Sequence, residues 1–293
     1  MSAAEVRRQL IEQKEYTDKE LPSRQTINTK LRELGYYPKS VVKSKPKKKI
    51  PETDAIFEQL AEVNSDADEA PDTLRLSIDA KARVKIGPFS RGGKNRVTVE
   101  ASDHDFKPKA TVVPFGIFLP VLNELFMYFT TSRVTSDFIV DVLEIWWKSV
   151  RERLSHIKTL VINADNGPEN HSRRTQFINR LVEFAHKYQL NVQLAYYPPY
   201  HSKYNPVERC WGVLENHWNG DVLDEIDTAL NFAKTMTWKG KYPVVTLLTQ
   251  TYETGVKLTA KEMQALETQI ERLPGLEKWF VNIPWTAEAV WEV

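Results

Sequence analysis

A single cysteine, Cys210, in 293 residues rules out an intramolecular disulfide and a thiolate metal cluster, so any metal here takes oxygen or imidazole ligands. No stretch approaches the roughly 18 consecutive apolar residues of a membrane span, and the opening MSAAEVRRQL lacks the apolar core of a secretory signal. A cytosolic chain with no membrane partner is expected. Internal repeats are absent as well, which argues against a solenoid. What is present, 41% hydrophobic, 11% aromatic and 27% charged residues, describes a globular protein able to bury a sizeable core.

The formal net charge of +1 conceals a division: residues 1–50 sum to +7 and the remaining 243 to −6. A basic head on a mildly acidic body suggests a polyanion-binding module tethered to something else, the alternative being a solvated basic tail. Within the head, Val6 and Leu10 stand one helical turn apart, the chain breaks over Tyr16 to Pro22, and Ser23 is placed to cap a second helix. In that helix Ile27, Leu31 and Leu34 form an apolar stripe, Arg24, Gln25, Asn28, Lys30 and Arg32 face outward, and Gly35 supplies the stop. The pattern reads as a helix-turn-helix over 1–38 whose second helix is the candidate reader of a DNA major groove. A charged face on an ordinary helical hairpin is the competing reading. The basic SVVKSKPKKK at 40–49 then reads as an arm lying along DNA phosphates, within a linker and connecting helix over 39–72.

From Pro51 a helical pattern (Ile56, Leu60, Val63) leads into an acidic, loop-like stretch from Asn64 to Asp72. The period then changes to that of strands. Thr73–Asp79 alternates, apolar and β-branched runs follow at 109–113, 116–121 and 125–131, and TLVIN at 159–163 is short and wholly apolar, as a buried central strand requires. Helices are expected over 136–153, 173–188 and 206–217, with a strand at 192–197. The alternation predicts an α/β core over 73–225 and an accessory C-terminal region over 226–293.

Three carboxylates fall where such a core places functional groups: Asp79 at a strand end, Asp165 just after a buried strand, and Glu208 in the first turn of a helix. Oxygen donors converging from separate elements suit hard cations such as Mg²⁺ or Mn²⁺, and two ions roughly 3.5 to 4 Å apart support in-line phosphodiester chemistry. Each acid alone has a plainer reading as a turn residue, a helix-dipole partner or a strand terminator.

The wording around these acids is specific in combination. NADNG at 163–167, YYPPYHSKYNPVERCWG at 196–212 and SIDAKARVKIG at 77–87 together resemble the catalytic domain of bacterial insertion-sequence transposases of the DDE type, in the mariner-like, ISAzo-type group. INTKLRELGYYP, SDFIVDVLEIWWKSV, NHWNG and LTQTYETGVKLTAKEM extend the likeness in the same order over essentially the whole chain. The resemblance implies an RNase H-like core, a mixed sheet flanked by helices, whose metal-binding and catalytic acids are Asp79, Asp165 and Glu208. It implies two Mg²⁺ or Mn²⁺ ions, double-stranded DNA (element ends and target) as partner, homo-oligomer assembly on that DNA, and a place at the bacterial nucleoid. The interval of 43 residues between Asp165 and Glu208 exceeds the mariner pattern and suits the ISAzo-type group. Family members carry more sequence ahead of the helix-turn-helix, so the chain is expected to be shortened at its N-terminus.

Neighbouring residues acquire expected roles. Lys81, Arg83, Lys85, Arg91, Lys94 and Arg96 follow Asp79 with no acid before Glu100, in a loop whose Gly87, Gly92 and Gly93 admit a phosphate, or else form a solvated hairpin. His201 and Lys203 are candidates to touch the scissile strand. Asn166 and Asn205 are candidates to orient a water or a carboxylate, the alternative being simple turn residues. Asp103-His104-Asp105 reads as a surface loop, Trp146, Trp147, Trp211 and Trp218 as core, and Cys210 as a packed helix residue. The expected activity is metal-dependent cleavage and strand transfer. The rivals are a truncated or domesticated transposase that only binds DNA, and a transcription regulator with an α/β sensor body.

Overall fold

The computed structural model describes residues 2–37, 49–102 and 107–286, which fall into two units, Met1–Lys45 and Pro46–Val293. The linker residues 38–48 and the Asp103-His104-Asp105 motif lie outside the described residues.

In the first unit Ser2 caps α1 (Ala3–Lys14) and Ser23 caps α2 (Arg24–Glu33), each hydroxyl accepting a backbone N–H three residues on, from Glu5 and Thr26. Such caps satisfy N–H groups that a helix start leaves without an internal partner. Ile27 is buried, but Leu34 is 71% exposed, because α2 ends at Glu33 and Leu34 turns away from the expected stripe.

The second unit is built on one sheet of strands β1 (Thr73–Ala80), β2 (Val84–Ile86), β3 (Ala110–Leu119), β4 (Glu124–Thr130), β5 (Thr159–Asp165), β6 (Asn191–Tyr197), β7 (Val244–Leu248), β8 (Glu271–Arg272) and β9 (Phe280–Ile283). The order is β7-β4-β3-β1-β5-β6-β9-β8, with β2 added on β3. β1, β5 and β6 run parallel, whereas β3 is antiparallel to both β1 and β4. A central β4-β3-β1-β5-β6 block, hairpin-linked on one side and crossover-linked on the other, is the RNase H-like arrangement.

Helices α3 (Thr53–Glu69), α4 (Ser136–Val150) and α5 (Thr175–Tyr188) close one face around Trp146, Phe138 and Phe177. Helices α6 (Val207–Trp218) and α7 (Ile226–Thr235) close the other around Trp211, Trp218 and Met127. Both tryptophan pairs expected in the core are buried there, as is Cys210, whose thiol is pushed up to about 12 by burial. A last short helix, α8 (Ala260–Glu267), opens with a capping box between Thr259 and Glu262.

Three local expectations are corrected. The stretch Asn64–Asp72 is not a loop to its start: α3 runs on to Glu69, because Val63 and Ala67 are buried, Asn64 accepts from Asn163, and Asp68 pairs with Arg75 at 2.6 Å. The runs 109–113 and 116–121 are one strand, β3, that passes through Pro114. Pro114 needs no N–H there, since β1 has ended beside it and its carbonyl accepts from Lys81 N–H at 2.8 Å. Residues 226–293 contribute to the sheet as well as covering it: β7 pairs with β4, and β9 with β6.

Candidate active site

β1 and β5 are neighbouring parallel strands in register at Ser77 and Asn163, and Asp79 and Asp165 each stand two residues beyond that pair. Because side chains alternate along a strand, two residues onward returns both acids to one face, on strands about 4.8 Å apart. Glu208 is the second residue of α6, and its charge, with that of Asp165, bears on Asp79. Asp79 and Asp165 therefore share one face at the C-terminal edge of the central sheet, and Glu208 stands close enough for its charge to act on Asp79.

Each acid is held differently. Asp79 is only 9% exposed, and Trp211 Nε1–H donates to its Oδ2 at 2.8 Å. Burial pushes the Asp79 carboxyl up to about 8; the Trp211 bond opposes that shift, while Glu208 and Asp165 add to it as like charges. Asp165 Oδ1 accepts from Asn170 Nδ2 at 3.0 Å, closing the turn Asp165–Asn170 over Gly167. Among the described residues the Glu208 carboxylate has no hydrogen-bond or ion-pair partner.

Two further groups set the frame. Gly116 lies opposite Asp79 on β3, and a Cβ there would meet Trp211 and Val207 at 2.8 Å; its bare backbone is what lets the indole reach Asp79. The start of α6 is bolted to β1: the Ser77 hydroxyl donates to Asn205 Oδ1 at 2.5 Å, Asn205 Nδ2 donates to the Ile78 carbonyl at 2.9 Å, and Val207 N–H donates to Ser77 Oγ at 2.9 Å. Asn205 thus spends its amide on fixing the helix that carries Glu208 and orients no carboxylate itself. Asn166 keeps a side-chain oxygen that is buried and without a partner beside Asp165.

Several expected DNA contacts are placed otherwise. Lys81 and Arg91 do not present free cations: both bind Glu215 of α6, each at 2.5 Å, and Arg91 also lies over the Trp218 ring. Gly93 opens space for Asn219 and Gly220 rather than for a phosphate, with Gly220 N–H donating to the Gly92 carbonyl at 2.8 Å. His201 is buried, bonded through Nδ1 to the Pro199 carbonyl and packed against Phe57 and Tyr204. Lys203, Lys94 and Arg96 are exposed, Lys203 over the Tyr204 ring. In the first unit Arg24 and Gln25 are exposed, and with Asn28 they line the groove between α1 and α2; Lys30 pairs with Glu33 at 2.7 Å. Ser77, Gly116, Asn170 and Trp211 join the site without a signal in the sequence that marks them for it, although Trp211 lies three residues after Glu208, one helical turn on, in the same motif.

A family model described as the Rhodopirellula transposase DDE domain matches residues 1–284. The chain belongs to this DDE transposase family. DNA transposition is accordingly its function, and the enzyme class is that of a metal-dependent nuclease and strand-transferase. No curated protein matches the sequence. Among solved structures, the Mos1 mariner paired-end complex with Mg is 13% identical with a TM-score of 0.48, covering 82% of this chain and 74% of its own. The corresponding complex with Mn is 13% identical with a TM-score of 0.47 over 78% and 69%. The human cytomegalovirus terminase nuclease domain is 11% identical with a TM-score of 0.23 over 74% and 85%. The assignment rests on the family match.

The donor set fits a hard divalent cation. It offers three carboxyl groups with no cation paired to them among the described residues, that of Glu208 without any partner, and an orphaned buried amide oxygen at Asn166. Among the described residues no three His, Cys, Asp or Glu side chains already form a cage.

Proposed function

We propose that Asp79, Asp165 and Glu208 are the catalytic acids of this transposase and hold two Mg²⁺ or Mn²⁺ ions while a DNA strand is cut and joined. The observation that carries this reading is the buried Asp79 carboxyl raised to about 8, with two further acids acting on it and no cation in ion-pair range among the described residues. An uncompensated acid cluster at a sheet edge is costly unless a cation relieves it, and oxygen donors select Mg²⁺ or Mn²⁺ over softer metals. When bound, such a pair supplies activation of the attacking oxygen and stabilisation of the leaving one.

The chain's own residues do the positioning. As a ligand Asp79 would be ionised, its proton passing to solvent, and the Trp211 N–H donated to Oδ2 would favour that form. Asn170 occupies one oxygen of Asp165 and leaves the other available. The Ser77–Asn205–Val207 bracket fixes the first turn of α6, so Glu208 moves by side-chain rotation on a stationary helix.

The partner is double-stranded DNA, both element ends and target, with copies of the chain assembling on it at the bacterial nucleoid. In this reading the basic first unit, including Arg24, Gln25, Asn28 and Lys30, supplies DNA affinity, supported by the exposed Lys94, Arg96 and Lys203. The deciding experiment is strand nicking and joining by the purified chain and by Glu208→Gln. The swap keeps size and hydrogen-bonding capacity but removes the charge that holds a cation. Wild type should act only with Mg²⁺ or Mn²⁺, and the variant should bind DNA and not cut it. Undiminished cleavage by Glu208→Gln removes Glu208 from the site, and cleavage in excess chelator removes the mechanism.

A further inference from the structure

With Lys81 and Arg91 both held by the one carboxylate of Glu215, two of the cations expected to face DNA near the acids are turned to α6, and free guanidinium groups are found elsewhere. β4 is antiparallel to β3, which is antiparallel to β1, and β7 is parallel to β4. The C-terminal ends of β1, β4 and β7 therefore share the sheet edge at which Asp79 stands. The residues that follow those ends converge: Arg83 after β1, Thr131, Ser132 and Arg133 after β4, and Thr251 and Thr254 after β7 line one cavity of about 580 Å³. Its wall is set by Tyr252, whose N–H donates to Ser132 Oγ at 3.0 Å and whose hydroxyl donates to Asp141 at 3.1 Å.

Arg83 and Arg133 are exposed, and among the described residues neither has an ion-pair or hydrogen-bond partner; Glu253, also on the lining, pairs with neither. Two unpaired guanidinium groups ringed by hydroxyls favour an oxyanion that accepts several hydrogen bonds at once, and guanidinium forks match phosphate oxygens. β4 is the second strand from β1, so the cavity lies about 10 Å along the sheet edge from the Asp79 strand, a distance that a DNA strand covers in about three nucleotides.

We propose that this cavity is a DNA-backbone subsite, in which Arg83 and Arg133 hold a phosphate a few nucleotides from the bond being cut. The assignment rests on the transposase reading of the three acids. It places the backbone clamp at the ends of β4 and β7, where Arg83 joins them.

The test compares the full chain with the doubly substituted Arg83→Gln/Arg133→Gln and Arg83→Lys/Arg133→Lys forms. Each is titrated onto a short DNA duplex of arbitrary sequence at several salt concentrations, and metal-dependent cleavage is measured in parallel. Removing one neutralised phosphate lowers the slope of log affinity against log salt by about 0.9. The glutamine pair should show a slope shallower by about 1 to 2, and the lysine pair, which keeps the charge, a slope near wild type. An unchanged slope in the glutamine pair overturns the subsite, and so does a slope lowered equally in the lysine pair, since charge would then not be the cause. A wild type that binds with full slope but cleaves nothing with Mg²⁺ or Mn²⁺ breaks the reading of the acids instead, so the two failures are separable.

Discussion

Trp211 donates its indole N–H to Asp79 Oδ2 across 2.8 Å, and it reaches that oxygen over Gly116, the residue opposite Asp79 on β3. The bond favours the ionised carboxylate against a burial that disfavours it. A tryptophan whose spacing marks it as core therefore also fixes one oxygen of a buried acid.

Replacing Trp211 with Phe keeps most of the packed ring and deletes the donor. A hydrogen bond to a charged group is worth about 1.5–3 kcal/mol, so metal-dependent cleavage should fall roughly tenfold or more at neutral pH. The Asp79 carboxyl should titrate higher than in wild type, moving the alkaline rise of the pH–rate profile upward. DNA affinity should be unaffected. A cleavage profile with the same pH midpoint as wild type would show that the indole N–H does not act on Asp79.

Gly116→Ala tests the same contact from the other side. The added Cβ would sit 2.8 Å from the Trp211 ring and from Val207, so the indole must shift or the strand must give. Overpacking of this kind costs about 1–3 kcal/mol, and here the loss should be accompanied by weakened Mg²⁺-dependent activity. Chemical denaturation and a cleavage assay on the same preparation separate the two effects. Full activity at reduced stability would mean that Trp211 has room the geometry does not show.

How much of this was legible in the sequence follows from what period and motif encode. Thr73–Ala80 and Thr159–Asp165 were readable as strands because alternation and an unbroken apolar run are local signals, whereas their parallel pairing is a property of the folded sheet. The strand ends marked Asp79 and Asp165 as candidates one by one, and the resemblance of the motifs at 77–87, 163–167 and 196–212 grouped them with Glu208. The roles of Ser77 and Gly116 were not readable, because each is defined by a partner far along the chain: Ser77 by Asn205, Gly116 by Trp211. The cations after Asp79 misled for the same reason, since the acid that binds Lys81 and Arg91 lies more than a hundred residues away at Glu215. Pro114 broke a strand on paper because its strand neighbour, and hence its idle nitrogen, is a property of the folded sheet.

The Ser77–Asn205–Val207 bracket predicts an uncoupling phenotype. Ser77→Ala leaves Val207 N–H and Asn205 Oδ1 buried without their partner, a loss of about 1–3 kcal/mol. The start of α6 should loosen relative to β1, lowering turnover at saturating Mg²⁺ while leaving DNA binding intact. Ser77→Thr, which restores a hydroxyl, should recover part of both stability and turnover. If Ser77→Ala lowers stability but turnover of the folded fraction stays at the wild-type level, the bracket is structural only.

The last prediction concerns pH. In the folded chain without metal the Asp79 carboxyl is raised to about 8 from an ordinary value of 3.8. Between those two values the folded state holds a proton that the unfolded chain has already released. Stability is therefore full below about pH 4, declines as pH rises through the window, and has lost this contribution above about pH 8. For one proton the decline is at most about 1.4 kcal/mol per pH unit. Asp79→Asn has no such proton to lose, yet its side-chain oxygen still accepts from Trp211. Denaturation midpoints of the two proteins in chelator should accordingly converge at low pH and part as pH rises, with the variant the more stable at pH 8. Added Mg²⁺ should raise the wild-type midpoint most at high pH, where Asp79 is ready to ligate, and should leave the variant nearly unmoved. Parallel pH profiles for wild type and Asp79→Asn in chelator would show that this carboxyl is ionised in the folded protein at neutral pH, and the electrostatic case for a cation beside it would fall.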